Sequence, residues 1–245
     1  PDGQRLVATF NTQPFIYLYA YNNVDQSLAI IATPNPAVLP NTDSVRGVDW
    51  SHDGNKIVIA ESAGDGLKVY DSGLNLIAQT TPLPPSIQDQ RLIDPKWSSD
   101  DTFIVSGSVF FQENPSLSII AFDQKSSLLE AQLFLFDQLV TATGFGIADW
   151  SPEGKYLTYA TTTTTAVEIG ILSYDRSNNS VKPVVTPDTL PGIASSISWS
   201  PDGQLIAISR AGCIRLYSRF VTCQNNVITN NITYRTWQDF TVTTT

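Results

Sequence analysis

The sequence contains no methionine, two cysteines and one histidine in 245 residues. Two cysteines and one histidine are too few for a structural zinc site. A single histidine also argues against multi-histidine metal centres and histidine-dependent triads. Charged residues make up 15% of the chain, against a usual share of about 25%. Basic residues number 14 against 23 acidic ones, a net charge of -9. With no Lys/Arg stripe, nucleic acid is not an expected partner. No apolar run approaches the roughly 20 residues of a membrane helix, so membrane insertion is not expected. No calcium loop of alternating acids is seen, and no cofactor is expected. The missing methionine, the opening Pro1-Asp2-Gly3 and the lack of a visible signal peptide suggest a processed chain or a piece of a longer one.

Gly, Pro, Ser, Thr and Asn fill the space left by charge, which points to many turns and short strands. A chain of this length forms one large domain or two small ones. As one domain it buries roughly 70–75% of its unfolded surface and needs no metal or disulfide to hold a core.

A repeat dominates the chain. Tryptophans at 50, 97, 150 and 199 are each followed by Ser, and the next three residues are His52-Asp53-Gly54, Ser99-Asp100-Asp101, Pro152-Glu153-Gly154 and Pro201-Asp202-Gly203. Pro1-Asp2-Gly3-Gln4 repeats Pro201-Asp202-Gly203-Gln204 and marks a fifth unit without its Trp-Ser. In the Pro-Asp-Gly form Pro presets φ, Asp can bond backbone amides and Gly accepts positive φ, so this segment is a tight turn. An apolar strand follows each turn, and the next strand ends on an aromatic: Tyr19, Tyr70, Phe122, Tyr174 or Tyr217. A weaker fourth strand comes next, as at 27–32, 75–79 and 181–185. The helix-like stretch 126–139 falls in the fourth-strand position. Four strands per roughly 50 residues describe one propeller blade. The expected fold is an all-β propeller of five four-stranded blades, a single domain over 1–245.

The pattern Trp-Ser-Pro-Asp-Gly-x-x-Ile-Ala followed by Ile-Arg-Leu-Tyr, over residues 1–218, resembles the WD-repeat and Tol-type periplasmic propeller superfamily. No Gly-His dipeptide precedes the inner strands, and Tyr or Phe replaces the third-strand Trp. The hydrogen-bonded tetrad of true WD repeats is therefore missing, which favours the looser, Tol-like end. Such a motif specifies a fold and says almost nothing about function.

The tail, 219–245, has two readings. If Trp237 takes the place of the missing first tryptophan, the C-terminal strand closes the first blade and removes an exposed edge. Alternatively, the tail begins another β-rich segment. The structural anchors are then Trp50, Trp97, Trp150, Trp199 and Trp237. Cys213 and Cys223 flank a hairpin centred on Ser218 and would face each other, a disulfide candidate that implies an oxidising compartment.

Candidate sites are few. His52 stands where other units have Pro, without an evident partner or pocket, and reads as a solvated turn residue. Asp49, Asp94 and Asp149 lie on or before inner strands and read as groups bonding turn backbones or facing water. Long Pro-rich loops precede the inner strands at 33–44, 81–90 and 186–195, where proline lowers the entropy lost on binding. Phe110, Phe111, Gln112 and Glu113, with Arg91 and Phe145 near the same rim, form the expected partner-binding face. Asn178-Asn179-Ser180 and Asn231-Ile232-Thr233 fit the glycosylation pattern. The expectation is a non-enzymatic scaffold that binds a protein or surface partner through its long-loop face, in a secreted, periplasmic, cell-surface or virion setting. The alternatives are a structural subunit of a larger assembly and a propeller carbohydrate-active enzyme with carboxylates at the channel mouth.

Overall fold

A computed structural model of the chain describes residues 3–10, 12–34, 45–61, 66–80, 91–109, 117–135, 146–162, 166–191, 194–210, 213–218, 222–224, 227–229 and 236–241. Among the described residues all regular elements are strands. They form five main antiparallel sheets and one small hairpin. The first sheet holds β1 (Arg5–Thr9), β2 (Ile16–Asn22) and β3 (Ser27–Ala32). The second holds β4 (Val45–Trp50), β5 (Lys56–Glu61), β6 (Leu67–Asp71) and β7 (Leu76–Gln79). In the third are β8 (Arg91–Trp97), β9 (Phe103–Val109), β10 (Leu117–Asp123) and β11 (Leu128–Leu135). The fourth comprises β12 (Gly146–Trp150), β13 (Tyr156–Thr162), β14 (Ala166–Asp175) and β15 (Ser180–Pro191). The fifth contains β16 (Ala194–Trp199), β17 (Leu205–Arg210), β18 (Cys213–Ser218) and β21 (Thr236–Thr241). β19 (Thr222–Gln224) and β20 (Val227–Thr229) form the hairpin.

The two-residue side-chain period explains how the sheets stack. Along β5, Ile57 and Ile59 pack on Ile16 and Leu18 of the first sheet, whereas Val58 and Ala60 face Leu92 and Ile104 of the third. Val105 and Ile119 of the third sheet meet Trp150 and Leu157 of the fourth. The fourth's Ile147 and Ile169 meet Ile197 and Ile208 of the fifth. Both faces of each central sheet are thus apolar and covered. The innermost strands β4, β8, β12 and β16 are successive neighbours, as blades around an axis require. Glycine permits one close approach: a Cβ on Gly107 of β9 would lie 1.7 Å from the carbonyl oxygen of Gly146 in β12. The molecule is an all-β propeller. Its first sheet is covered on one face only, and Leu6, Phe10, Leu28 and Ile30 are exposed on the other.

Strand β11 occupies the stretch that mimics a helix. Three expectations need correction. First, the strand carrying Trp237 does not complete the first sheet. β21 pairs with β18 as the fourth strand of the fifth, and β1–β3 remain three-stranded. The β18 edge carries unpaired amides and carbonyls of its own, which a fourth strand satisfies. Second, Cys213 and Cys223 do not pair across a hairpin. Cys213 is opposite Arg210 and Thr241, and Cys223 is opposite Ile228 in the separate small hairpin. Third, the chain from 186 to 191 is not loop but the continuation of β15 against β14, through Pro191 opposite Ala166.

Candidate functional site

The Trp-Ser turns share one construction. The Ser backbone N–H donates to the carbonyl at the start of the next strand, from Ser51 to Lys56, Ser98 to Phe103, Ser151 to Tyr156 and Ser200 to Leu205. Each Ser Oγ accepts the N–H of that same strand residue. The fifth turn residue donates its N–H to the Ser carbonyl and has left-handed φ, 71° at Gly54, 67° at Gly154 and 68° at Gly203. Asp101 stands at the same position of the third unit with φ 57°. A non-glycine residue there costs roughly 1–2 kcal/mol, least for Asp and Asn.

These turns surround a cavity of about 460 Å³, lined by Asp49, Lys96 and Asp149, by all four repeat tryptophans, and by His52. Asp49, Lys96, Asp149 and Ser198 occupy one position, immediately before the tryptophan of each inner strand. The carboxylates tie neighbouring sheets together. Asp49 Oδ2 accepts the Trp97 N–H at 2.9 Å, and Asp149 Oδ2 accepts the Trp199 N–H at 2.9 Å. Asp149 Oδ1 also accepts the N–H of Trp150 at 2.9 Å. The sequence points these acids at turn backbones or water; their partners are instead inner-strand amides, in the neighbouring sheet for both and also in its own sheet for Asp149.

Lys96 lies between the two acids at the position where a third would fall. Its Nζ is 3.3 Å from Asp94 Oδ1. Burial works against the ammonium, but Asp94, Asp49 and Asp149 hold its pKa above the usual lysine value. Burial pushes Asp149 up to about 7, against the Trp199 N–H and the Lys96 charge, while the Asp49 charge pushes it further up. Burial raises Asp49 as well, opposed first by Lys96. Burial alone disfavours a charged carboxylate, and cationic neighbours favour it. A buried acid titrating near neutrality beside an ammonium, inside a cavity, has the character of an acid–base site.

Two further features complete the lining. The indole Nε1 groups of Trp50, Trp97, Trp150 and Trp199 have no acceptor among the described residues. His52 acquires both a partner and a pocket: its Nδ1 is 3.3 Å from Asp101 Oδ1. Asp101 also accepts the backbone N–H groups of His52 at 2.7 Å and Asp53 at 2.9 Å. Proline, found at this turn position in the fourth and fifth units, has no N–H to donate.

Phe110, Phe111, Gln112, Glu113 and Phe145 of the expected partner face lie outside the described residues. Arg91 opens β8 opposite Val109. Among the described residues, no group of three or more His, Cys, Asp and Glu side chains is arranged to hold a metal ion.

The sequence matches no family model and no curated protein. Solved structures do resemble it. A candidate 6-phosphogluconolactonase from Bacteroides uniformis superimposes with a TM-score of 0.65 at 16% identity, over 99% of this chain and 69% of that one. The periplasmic gluconolactonase PpgL of Pseudomonas aeruginosa gives 0.64 at 18% identity, over 98% and 68% of the two chains. A candidate TolB from Agrobacterium tumefaciens gives 0.57 at 17% identity, over 98% and 79%. At these identities the likeness establishes the propeller fold. The expectation of a non-enzymatic scaffold is corrected here. Two of these three propellers are named as lactonases, and the acids dismissed as turn-bonding groups converge with a lysine in one cavity. The carbohydrate-active alternative fits these findings better.

Proposed function

We propose that the chain is a carbohydrate-active enzyme that opens a sugar lactone by hydrolysis in the axial cavity. The observation that carries this reading is the row Asp49–Lys96–Asp149 inside a tryptophan-lined cavity. The lining combines apolar indole surface with charged groups, the mix that a small polar ligand site uses. In its ionised form, Asp149 takes a proton from water. The resulting hydroxide adds to the lactone carbonyl carbon, and the C=O electron pair moves onto oxygen. The Lys96 ammonium stabilises that oxyanion. Collapse breaks the acyl–oxygen bond and leaves a hydroxy acid. Asp49 holds the Trp97 amide and keeps Lys96 charged. An extracytoplasmic setting belongs to this reading. It is supported by the sparse lysine content and by the name of the periplasmic PpgL.

The test is acid release from glucono-δ-lactone and its 6-phosphate at constant pH, with the spontaneous rate subtracted. The wild-type chain is expected to exceed the background. Asp149→Asn is expected to lose about 10²–10⁴-fold and Lys96→Met about 10²–10³-fold. A wild-type rate equal to the background with both lactones overturns the reading.

A further inference from the structure

We infer that His52, oriented by Asp101, is the proton donor to the ring oxygen that leaves when the lactone opens; this rests on the reading above. Two neighbouring turns each depart once from the repeat. Where the fourth and fifth units carry Pro152 and Pro201, the second carries His52. Where the other turns carry glycine at the left-handed position, the third carries Asp101. The two departures are 49 residues apart in the chain, yet they touch. His52 offers the Asp101 carboxylate both a backbone N–H and a ring nitrogen, whereas the proline of the other units has no N–H to give. The glycine of the other turns has no side chain with which to reach across.

The environments of the two groups differ as a donor and its support should. The His52 side chain is 53% exposed and lines the cavity, whereas that of Asp101 is 6% exposed beneath it. Asp101 is held by two backbone N–H groups besides the imidazole, so its position is fixed before any ligand arrives. A carboxylate at Nδ1 selects the tautomer with the proton there and leaves Nε2 for other work. Asp101 is therefore a positioning residue, and His52 the group that meets the substrate.

The step balances. Asp149 removes a proton from water, and the hydroxide forms the new carbon–oxygen bond. The acyl–oxygen bond breaks, and its electron pair leaves on the ring oxygen. Imidazolium Nε2–H gives its proton to that oxygen, while Nδ1–H stays with Asp101. The Asp149 proton then returns to His52 through solvent, and the net change is addition of one water. An alkoxide is a poor leaving group without such a proton, so the donor matters most for sugar lactones.

His52 is the only histidine, so its imidazole nitrogens can be followed by NMR in the intact chain without assignment. The probe is gluconolactam, which fills a lactone site and resists hydrolysis. Binding is followed in parallel by calorimetry. Three results are expected: an Nδ1–H tautomer in the wild type, loss of that preference in Asp101→Asn, and a shift of the Nε2 resonance on adding the lactam. His52→Gln is expected to lower lactone turnover by about 10²–10⁴-fold while lactam affinity changes less than tenfold. The double variant His52→Pro/Asp101→Gly restores the turn residues of the other units. It is expected to fold, bind the lactam and hydrolyse as slowly as His52→Gln. If the lactam binds but leaves Nε2 unmoved, or if the double variant turns over like the wild type, the inference falls and the cavity reading stands. If the lactam does not bind at all, the cavity reading falls with it.

Discussion

The second and third turns of the repeat can be set against the fourth and fifth. All four share the serine that bonds the following strand and a left-handed fifth residue. In the fourth and fifth turns the remaining residues serve the turn itself, as when Ser200 Oγ donates to Asp202 at 2.6 Å. In the second and third, the same local bonds are present, from Ser51 to Asp53 and from Ser98 to Asp100. These two turns are also joined through Asp101 to His52 and Asp53. The shared residues thus build the fold, and the departures from the repeat gather at the cavity. Strain at Asp101, where glycine would be free of it, is placed where function would use it.

That contrast can be broken by substitutions on each side of it. The largest stability effect belongs to the shared framework. Trp150 packs against Phe103 of the third sheet and Tyr174 of its own, with ring centroids 6.5 and 5.6 Å away. Trp150→Ala is expected to cost about 3–5 kcal/mol in denaturant unfolding. A cost below 1 kcal/mol would show that the tryptophans are not the anchors of the stack. Ser151→Ala removes the acceptor of the Tyr156 N–H at 3.0 Å and is expected to cost about 1–3 kcal/mol. Asp101→Gly should behave differently. It loses two amide contacts but relieves the left-handed backbone, so the net change in stability is expected to lie within about 1 kcal/mol. A loss as large as that of Trp150→Ala would make Asp101 part of the framework and dissolve the contrast.

A further contrast is a pH dependence. Burial raises Asp149 from 3.8 to about 7, so the folded chain holds its proton more tightly than the unfolded one. The associated stability is complete below about 3.8 and is lost as pH rises through about 7. Asp53 acts in the opposite sense. Despite some burial, hydrogen bonds from Lys56 and Ser51 lower its pKa, so its contribution is present above the unfolded value of 3.8 and is lost as pH falls below it. The melting temperature of the wild type should therefore fall relative to that of Asp149→Asn between pH 4 and pH 8. Parallel curves would remove the raised Asp149 from the account.

Much of the fold was legible because a tryptophan, a serine and a turn recur at nearly constant spacing. Strand β4 runs from Val45 to Trp50 as its apolar pattern requires, and β11 occupies the stretch whose composition alone suggests helix. The placement of β21 was not legible. A terminal strand with suitable alternation fits any open edge, and its pairing with β18 depends on which edge lies nearest. The cysteine register failed for a related reason, since symmetry about Ser218 assumes a hairpin the chain does not make. At the site, the alternation of Asp49, Lys96 and Asp149 before successive tryptophans was visible as spacing, but its meaning requires the sheets to converge. The coupling of His52 to Asp101 was hidden because it joins residues on different sheets. Its one available signal was that two neighbouring units each break the turn motif once.

The most direct test of the cavity as a lactone-opening site is the pH dependence of kcat/KM for glucono-δ-lactone, measured on the wild type and on Asp149→Asn. A base with its pKa near 7 gives a wild-type profile whose acid limb rises through that region. In the variant, that limb should vanish together with most of the rate. A wild-type profile flat through neutrality, or an Asn variant that retains both the limb and the rate, would contradict the assignment.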